Sequence, residues 1–204
     1  MYHKAIVIGN GESRRGLNLA LIDKSYTVIG CNALHRDLEV DHLVCVDKKM
    51  ADEALNNSSI KNTKIYTRTR WADKGMFNVP DLPYSGLLRP DKEEHWGSGS
   101  YALLLACNLE FNEIILIGFD LYGHGNCVNN IYKNSINYKE ELSPAVDYSY
   151  WVYQIAKIFE YFPNIKFKVL NSEGWNMPNE WHKQNVSFEL FSDYWHLTLN
   201  KDAV

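Results

Sequence analysis

Short apolar runs alternate with segments of helical spacing along most of this 204-residue chain. This alternation is typical of a mostly parallel sheet covered by helices on both faces. The length suits one well-buried α/β domain and is too short for two, so we predict a single domain over 1–204. The predicted strands are 4–8, 26–31, 42–46, 64–67, 113–117 and 165–170, and the predicted helices are 15–22, 49–56, 98–109 and 146–162.

Two stretches do not follow the alternation. Residues 68–96 are rich in Pro, Arg and Trp, and residues 121–144 are rich in Gly, Asn and Tyr. Long insertions in a compact domain usually serve as lids or binding loops, so we predict that both form walls of a site. The tail from Ser172 onward is aromatic enough that we expect it to pack back on the domain.

Composition excludes several classes of function. The net charge of -4 and isoelectric point near 6.0 offer no basic footprint for nucleic acid. The four cysteines form no CxxC pair, and the histidines show no zinc-binding spacing, so neither a disulfide framework nor a metal site is expected. No secretory leader or membrane span is recognisable, which predicts a cytoplasmic protein. The sequence leaves open whether the chain forms a homo-oligomer.

The first predicted strand ends in Gly9-Asn10-Gly11. Such a glycine turn, followed by a helix, commonly binds a phosphate. A dinucleotide fingerprint would also need a third glycine, where this chain has Arg14, and an acidic residue after the second strand, where it has Asn32. The turn therefore predicts a Rossmann-like nucleotide site that is not built for NAD.

Polar residues close each of the first three strands: Asn10, Asn32 and Asp47. The carboxyl ends of parallel strands lie at one edge of the sheet, so these side chains could converge on a ligand. Each could instead serve only a local turn or helix cap. Three in succession favour a site.

A second glycine cluster, Gly97-Ser98-Gly99, opens the predicted helix 98–109, and Asp120 follows the next strand. The serine hydroxyl and the free N–H groups at a helix start can cap the helix or bind an anion. Asp120 could bind substrate or brace the Gly97 loop, and bracing is favoured. Together the two clusters predict one nucleotide site with two anion contacts.

An ordered set of motifs covers roughly the first 125 residues. These motifs are Gly9-Asn10-Gly11-x-Ser13, Cys31-Asn32, Ser98-Gly99-x-Tyr101 and Ile117-Gly118-Phe119-Asp120-x-Tyr122. In this set the chain resembles the bacterial sialyltransferases of glycosyltransferase family 42 and their uncharacterised relatives. The resemblance implies an inverting transferase that takes a sialic acid activated by cytidine monophosphate (CMP), passes it to a glycan acceptor and needs no metal or other cofactor.

The resemblance also implies roles for individual residues. Asn10 and Asn32 would hold the nucleotide and its phosphate, and Ser98 with Gly99 would hold the ribose or the sugar of the donor. Tyr132 and Tyr138, in the second insertion, would point hydroxyls at the departing phosphate, although both could be packing residues. The expected nucleotide- and donor-binding residues are Gly9, Asn10, Gly11, Ser13, Asn32, Asp47, Gly97, Ser98, Gly99 and Asp120.

The chain departs from the family pattern at two places. Asp47 stands where the family has Asn, and its charge would repel a phosphate unless Lys48 or Arg14 neutralised it. The family's general-base His falls near Asp147, which could act as a base only if burial raised its pKa, and which could simply complement a helix dipole. His124 is the other candidate base.

Two alternatives remain open at this stage. One is a nucleotide-binding relative that lost catalysis, as the missing His would permit. The other is an enzyme similar to the archaeal pterin pyrophosphokinases, which would need ATP, magnesium and a carboxylate cluster. Only Asp47 and Asp120 are available for such a cluster.

Overall fold

A single sheet of eight parallel strands forms the centre of the molecule. The computed structural model describes residues 3–72 and 75–197, without the side chains of 195–197. The strand order is β5-β4-β3-β2-β1-β6-β7-β8. The strands are β1 (Lys4–Ile8), β2 (Thr27–Cys31), β3 (His42–Val44), β4 (Lys64–Thr67), β5 (Phe77–Asn78), β6 (Glu113–Ile117), β7 (Lys166–Asn171) and β8 (Val186–Leu190).

Helices cover both faces of this sheet: α1 (Lys48–Leu55), α2 (Ser98–Asn108) and α3 (Ser149–Tyr161). Ala5 and Val7 of β1 pack in one apolar cluster with residues of α2 and α3. Ile6 and Ile8, which point to the other face, pack in a second cluster with residues of α1. Because both faces of the strand are buried, its sequence from Ala5 to Ile8 is uniformly apolar rather than alternating. The predicted α/β class, with a parallel sheet between helices, is confirmed.

The predicted helix 15–22 is wrong. Two short 3₁₀ turns, Glu12–Arg14 and Leu19–Leu21, occupy this region. Gly16 lies between them with φ 88°, which interrupts any helix, and Leu21 is half exposed. The helix dipole that we expected behind the first glycine turn is therefore missing there, and of the two glycine clusters only the second opens an α-helix.

Other element boundaries differ by a few residues. β3 ends at Val44 and not at 46, and α3 begins at Ser149 and not at 146. Two strands were not predicted: β5, inside the first insertion, and β8, in the tail. β8 is an edge strand with a partly exposed pattern (Ser187 and Glu189 are polar), so it lacks the apolar run by which the central strands were recognised.

The second insertion, 121–144, contains neither a helix nor a strand, only isolated bridges at Cys127. The tail packs against the domain as predicted for its described part: Trp181 is fully buried next to α3, and β8 extends the sheet. Trp195 lies outside the residues whose side chains are described. Within the described ranges, none of the helices combines the length and apolarity needed to cross a membrane.

Candidate functional site

A cleft of about 260 Å³ opens at the carboxyl ends of the strands, between β1 and β6. From β1 the chain continues to β2 and β3 on one side of the sheet. From β6 it continues to β7 on the opposite side. This is the switch point at which open α/β sheets bind ligands. All the predicted nucleotide- and donor-binding residues except Ser13 line it: Gly9, Asn10, Gly11, Asn32, Asp47, Gly97, Ser98, Gly99 and Asp120.

The floor of the cleft depends on close backbone approach. The Gly9 N–H donates to the Ile117 carbonyl at 2.7 Å, and the Gly11 N–H donates to the Gly118 carbonyl at 2.9 Å. A Cβ at Gly9 would lie 2.4 Å from the Gly118 carbonyl oxygen, which no side chain tolerates. The first glycine is therefore required to join the ends of β1 and β6.

Arg14 has a structural role that the sequence did not reveal. Its side chain is buried, its Nε donates to the Gly9 carbonyl at 2.9 Å, and its Nη2 donates to the Tyr132 hydroxyl at 2.7 Å. It also pairs with Asp37 at 3.3 Å. The guanidinium thus stabilises the first glycine turn through the Gly9 carbonyl. The expected neutralisation of Asp47 by Arg14 is not observed, because Arg14 pairs with Asp37.

Asp120 is buried and braces the first turn. Its carboxylate accepts a 2.8 Å hydrogen bond from the Ser13 N–H and a short one from the Ser13 hydroxyl. Asn171 Nδ2 donates to it at 3.4 Å. Bracing was the expected role, but the partner is the first turn and not the Gly97 loop. These bonds also explain why Ser13 does not line the cleft.

A chain of hydrogen bonds links the start of α2 to the ends of β2 and β3. The Val46 N–H donates to Ser98 Oγ at 3.0 Å, so the Ser98 hydroxyl proton is free to donate to Asn32 Oδ1, at 2.7 Å. Asn32 has φ 50°, a left-handed conformation that Asn tolerates better than most residues. Asn32 is therefore held with Oδ1 occupied, and its two side-chain N–H donors have no hydrogen-bond partner within the described part of the chain.

Asn10 has the opposite arrangement. Its Nδ2 lies 3.4 Å from the Cys31 carbonyl and 3.3 Å from the Tyr138 hydroxyl, as donor to both. Its Oδ1 is buried and has no hydrogen-bond partner among the described residues. A buried acceptor without a partner is costly, so a ligand that donates a hydrogen bond there would be favoured.

The two candidate tyrosines lie beside the cleft rather than in its lining. Tyr132 is buried, and its hydroxyl is bound to Arg14 and Asp37. Burial raises the pKa of both Tyr132 and Tyr138 well above the usual value. The Tyr138 hydroxyl accepts from the Ala33 N–H at 3.3 Å as well as from Asn10, which leaves its own proton free to donate.

The two candidate bases are not brought to the cleft. Asp147 is exposed, and its Oδ1 accepts a hydrogen bond from the Ser149 N–H at 2.9 Å, which holds the pKa of this carboxyl below its usual value. A general base here would need the opposite shift. His124 is exposed in a turn closed by backbone hydrogen bonds to Cys127.

Asp47 lines the cleft as the residue that precedes α1. It occupies the N-cap position, where Asp normally accepts a backbone hydrogen bond, yet its side chain makes no capping bond. Lys48 pairs with Asp52 at 2.7 Å. The Asp47 carboxylate therefore has no cation or donor of its own among the described residues. Those residues also include no group of three or more His, Cys, Asp or Glu that could hold a metal.

The structure adds residues that the sequence analysis did not assign to the site. Asn129 accepts from the Glu12 N–H at 2.8 Å and so joins the second insertion to the first turn. Trp151, in the first turn of α3, lies next to Gly97. Two sequence features could have indicated these residues: the pair Asn129-Asn130 in the second insertion, and a Trp near the start of the predicted helix 146–162. The remaining lining residues are Cys31, Ser100, Gly118, Phe119, Leu121, Asn130 and Ile155.

Known structures of similar fold include sialyltransferases. The monofunctional alpha-2,3-sialyltransferase Cst-I from Campylobacter jejuni is 15% identical, with a TM-score of 0.54 over 84% of this chain and 77% of that chain. CstII from Campylobacter jejuni, in complex with cytidine-5'-monophosphate, is 12% identical, with a TM-score of 0.51 over 82% and 79%. A CST-II variant in complex with CMP is 13% identical, with a TM-score of 0.53 over 81% of each chain.

These likenesses bear on the fold. A comparison with family models finds no match, and a comparison with curated proteins finds no significant match. Fold and site together define a parallel α/β protein with a polar cleft at its switch point. Its fold is that of the sialyltransferases Cst-I and CstII.

Proposed function

We propose that this protein is a sialyltransferase-like glycosyltransferase that binds a CMP-activated sugar in the switch-point cleft. It would transfer the sugar to a glycan hydroxyl with inversion and without a metal. One observation carries the proposal: Asn10, Asn32 and Ser98, from three separate regions of the sequence, line a single cleft at the switch point. The fold shared with sialyltransferases solved with CMP supports the choice of nucleotide.

The cleft suits a departing phosphate. α2 has eleven residues, and its first turn, at Ser98 and Gly99, lines the cleft. Free N–H groups at a helix N-terminus stabilise negative charge, which grows on the phosphate as the bond to the sugar breaks. The free N–H donors of Asn32 are the second source of stabilisation. The Tyr138 hydroxyl lies outside the lining and supports the cleft through its hydrogen bond with Asn10.

Transfer of the sugar requires a general base that removes the proton of the acceptor hydroxyl. This requirement bears on a second candidate function. Asp147 and His124, the candidate bases, lie outside the lining of the cleft. Of the two carboxylates in the lining, Asp120 is occupied by Ser13 and Asn171, and Asp47 is exposed rather than buried as a general base at this site would need to be. This observation favours a nucleotide-binding relative without catalysis as the second candidate. A pterin pyrophosphokinase-like activity lacks support, because the described residues offer no carboxylate cluster for magnesium.

Ligand-induced stabilisation tests the nucleotide. We expect CMP to raise the melting temperature by several degrees at a concentration about a hundredfold above its Kd, where binding contributes about 2.7 kcal/mol. The effect should survive a chelator and exceed that of ATP with magnesium or of NAD. Asn32→Ala should abolish most of it. Asn164→Ala, in the exposed loop at the amino end of β7, is the matched control.

Stabilisation by NAD alone, or an undiminished response to CMP in Asn32→Ala, would contradict the proposed nucleotide site. Turnover then separates an enzyme from a binding module. The purified chain, given CMP-sialic acid and a panel of galactose-terminated acceptors with chelator present, should release CMP only when an acceptor is added. Binding of CMP without any release would identify the non-catalytic relative.

A further inference from the structure

A buried glutamine of α3 contacts the first turn of α2. Gln154 is fully buried, and its side chain makes three hydrogen bonds. Its Oε1 accepts from Ser100 Oγ at 3.0 Å, and its Nε2 donates to the Pro90 carbonyl at 3.3 Å and to the His95 carbonyl at 3.0 Å. One side chain therefore joins α3 to α2 and to the segment that leads into α2.

The partners of this amide fix its orientation. Both groups near Nε2 are backbone carbonyls, which only accept hydrogen bonds, so Oε1 faces Ser100 and the Ser100 hydroxyl donates to it. The Ser98 hydroxyl likewise donates to Asn32 Oδ1. Each hydroxyl has one proton, so neither serine can donate to a phosphate while these bonds hold, although both residues line the cleft.

Backbone N–H groups are therefore the phosphate donors at this end of α2. Gly97 is the N-cap residue, and no side chain caps the helix. The first intrahelical bond runs from the Tyr101 N–H to the Gly97 carbonyl at 3.1 Å, so the N–H groups of residues 98–100 have no partner within the helix. A backbone donor cannot rotate toward a ligand as a hydroxyl can. Its contribution depends on where this turn is held.

Gln154 holds the turn at both ends. Its partners His95 and Ser100 flank residues 96–99 in the sequence. The same helix places Trp151 beside Gly97 in the lining of the cleft. The position of the first turn of α2 is thus coupled to α3.

We propose that Gln154 is a positioning residue that sets the first turn of α2 for binding of the phosphate. Gln154 does not line the cleft, so it acts through the backbone and not by contact with the ligand. The inference rests on the proposed function and deepens it, because it assigns the phosphate to backbone N–H groups whose placement depends on α3.

The test measures the contribution of the phosphate as the ratio of the Kd of cytidine to the Kd of CMP. Isothermal titration calorimetry gives both values, with cytidine measured in competition with CMP. Hydrogen bonds to a charged group are strong enough that the wild-type ratio should be about tenfold or more.

Gln154→Met preserves the length of the side chain and removes its three hydrogen bonds. Ser100→Ala is present in both proteins compared, because a released Ser100 hydroxyl would be free to donate to the phosphate. Adding Gln154→Met to Ser100→Ala should narrow the ratio about threefold to tenfold, and the Kd of cytidine should change less than about twofold.

Asn185→Leu is the matched control for a general loss of stability. Asn185 Nδ2 also joins backbone carbonyls, those of Phe159 and Phe162 at 3.1 Å and of Ile165 at 3.3 Å, but at the carboxyl end of α3. This variant should unfold at a lower urea concentration and keep the wild-type ratio.

An unchanged ratio after the addition of Gln154→Met would overturn the inference and leave the proposed function standing, and so would an equal fall in Asn185→Leu. If the double variant does not fold, Ser100→Ala alone decides, since it removes one of the three bonds of Gln154. It should narrow the wild-type ratio about twofold to threefold, and an unchanged ratio would overturn the inference. If CMP does not bind to the wild type at all, the proposed function itself fails.

Discussion

At the scale of single residues, the glycines of the cleft serve different purposes. A Cβ at Gly9 would lie 2.4 Å from a backbone oxygen of Gly118. A Cβ at Gly99, in the first turn of α2, would meet only the Phe119 ring at 3.5 Å, an ordinary contact. Gly9 is required by the fold, whereas the missing side chain at Gly99 leaves space over the cleft.

We therefore expect Gly9→Ala to lower the free energy of unfolding by about 1–3 kcal/mol, as overpacking against backbone does. Gly99→Ala should leave stability equal or raise it by up to about 1 kcal/mol, because Ala is the better helix former. Urea denaturation of the two variants measures the difference. Equal losses would show that the close approach of β1 and β6 is not what demands Gly9.

At the scale of elements, two arginines anchor the second insertion to the sheet. Arg14 binds Tyr132, and Arg36 donates to Ser135 Oγ at 2.8 Å and to the Ile136 carbonyl at 3.0 Å. Arg36 is itself held by Glu53 at 2.6 and 2.8 Å. The insertion has no helix or strand of its own, and these side chains hold it in place together with the hydrogen bond between Asn129 and the Glu12 N–H.

The Arg36 pair gives the molecule an acid-sensitive contact. Its hydrogen bonds hold the pKa of Glu53 below the ordinary value of 4.5. A carboxylate whose pKa is lowered by folding contributes stability at pH values above its unfolded-state pKa. This stability is lost as pH falls through the folded-state pKa. His35 also faces Glu53, at 3.6 Å, and burial lowers its pKa.

We expect Glu53→Gln to cost about 1–3 kcal/mol at pH 7 and progressively less between about pH 5 and pH 3. Urea denaturation of both proteins across this range measures the gap. A gap of constant size would mean that the Glu53 charge contributes nothing.

At the scale of the whole molecule, the tail completes the domain. Trp181 is fully buried, donates from Nε1 to the Val152 carbonyl at 3.0 Å and packs edge-on against Phe159. It thereby ties the tail to α3, while β8 pairs with β7 at the edge of the sheet. The tail and the central strands belong to one hydrophobic cluster.

Trp181→Ala should therefore cost about 3–5 kcal/mol, a large share of the 5–15 kcal/mol typical of a domain. Phe188→Ala, at a partly exposed side chain of β8, should cost clearly less. The free energies of unfolding in urea provide the comparison. A small loss in Trp181→Ala would show that the tail folds separately from the rest.

The sequence by itself determined the central sheet. β1, β4 and β6 have the predicted bounds. For β1 and β6 the reason is that strands buried on both faces are rich in apolar residues, and that pattern is local. It also indicated the residues of the cleft, since polar residues that close parallel strands share one edge of the sheet. The edge strands β5 and β8 were missed because half-exposed strands leave a weaker pattern.

Only the tertiary structure decided how those residues are used. The buried guanidinium of Arg14, the bracing of Ser13 by Asp120 and the opposite amide orientations of Asn10 and Asn32 all depend on partners distant in sequence. The same holds for Asp147, which stays exposed and bound to its own helix start. Hydrogen bonds between distant segments form only when the chain has folded, so no local pattern encodes them.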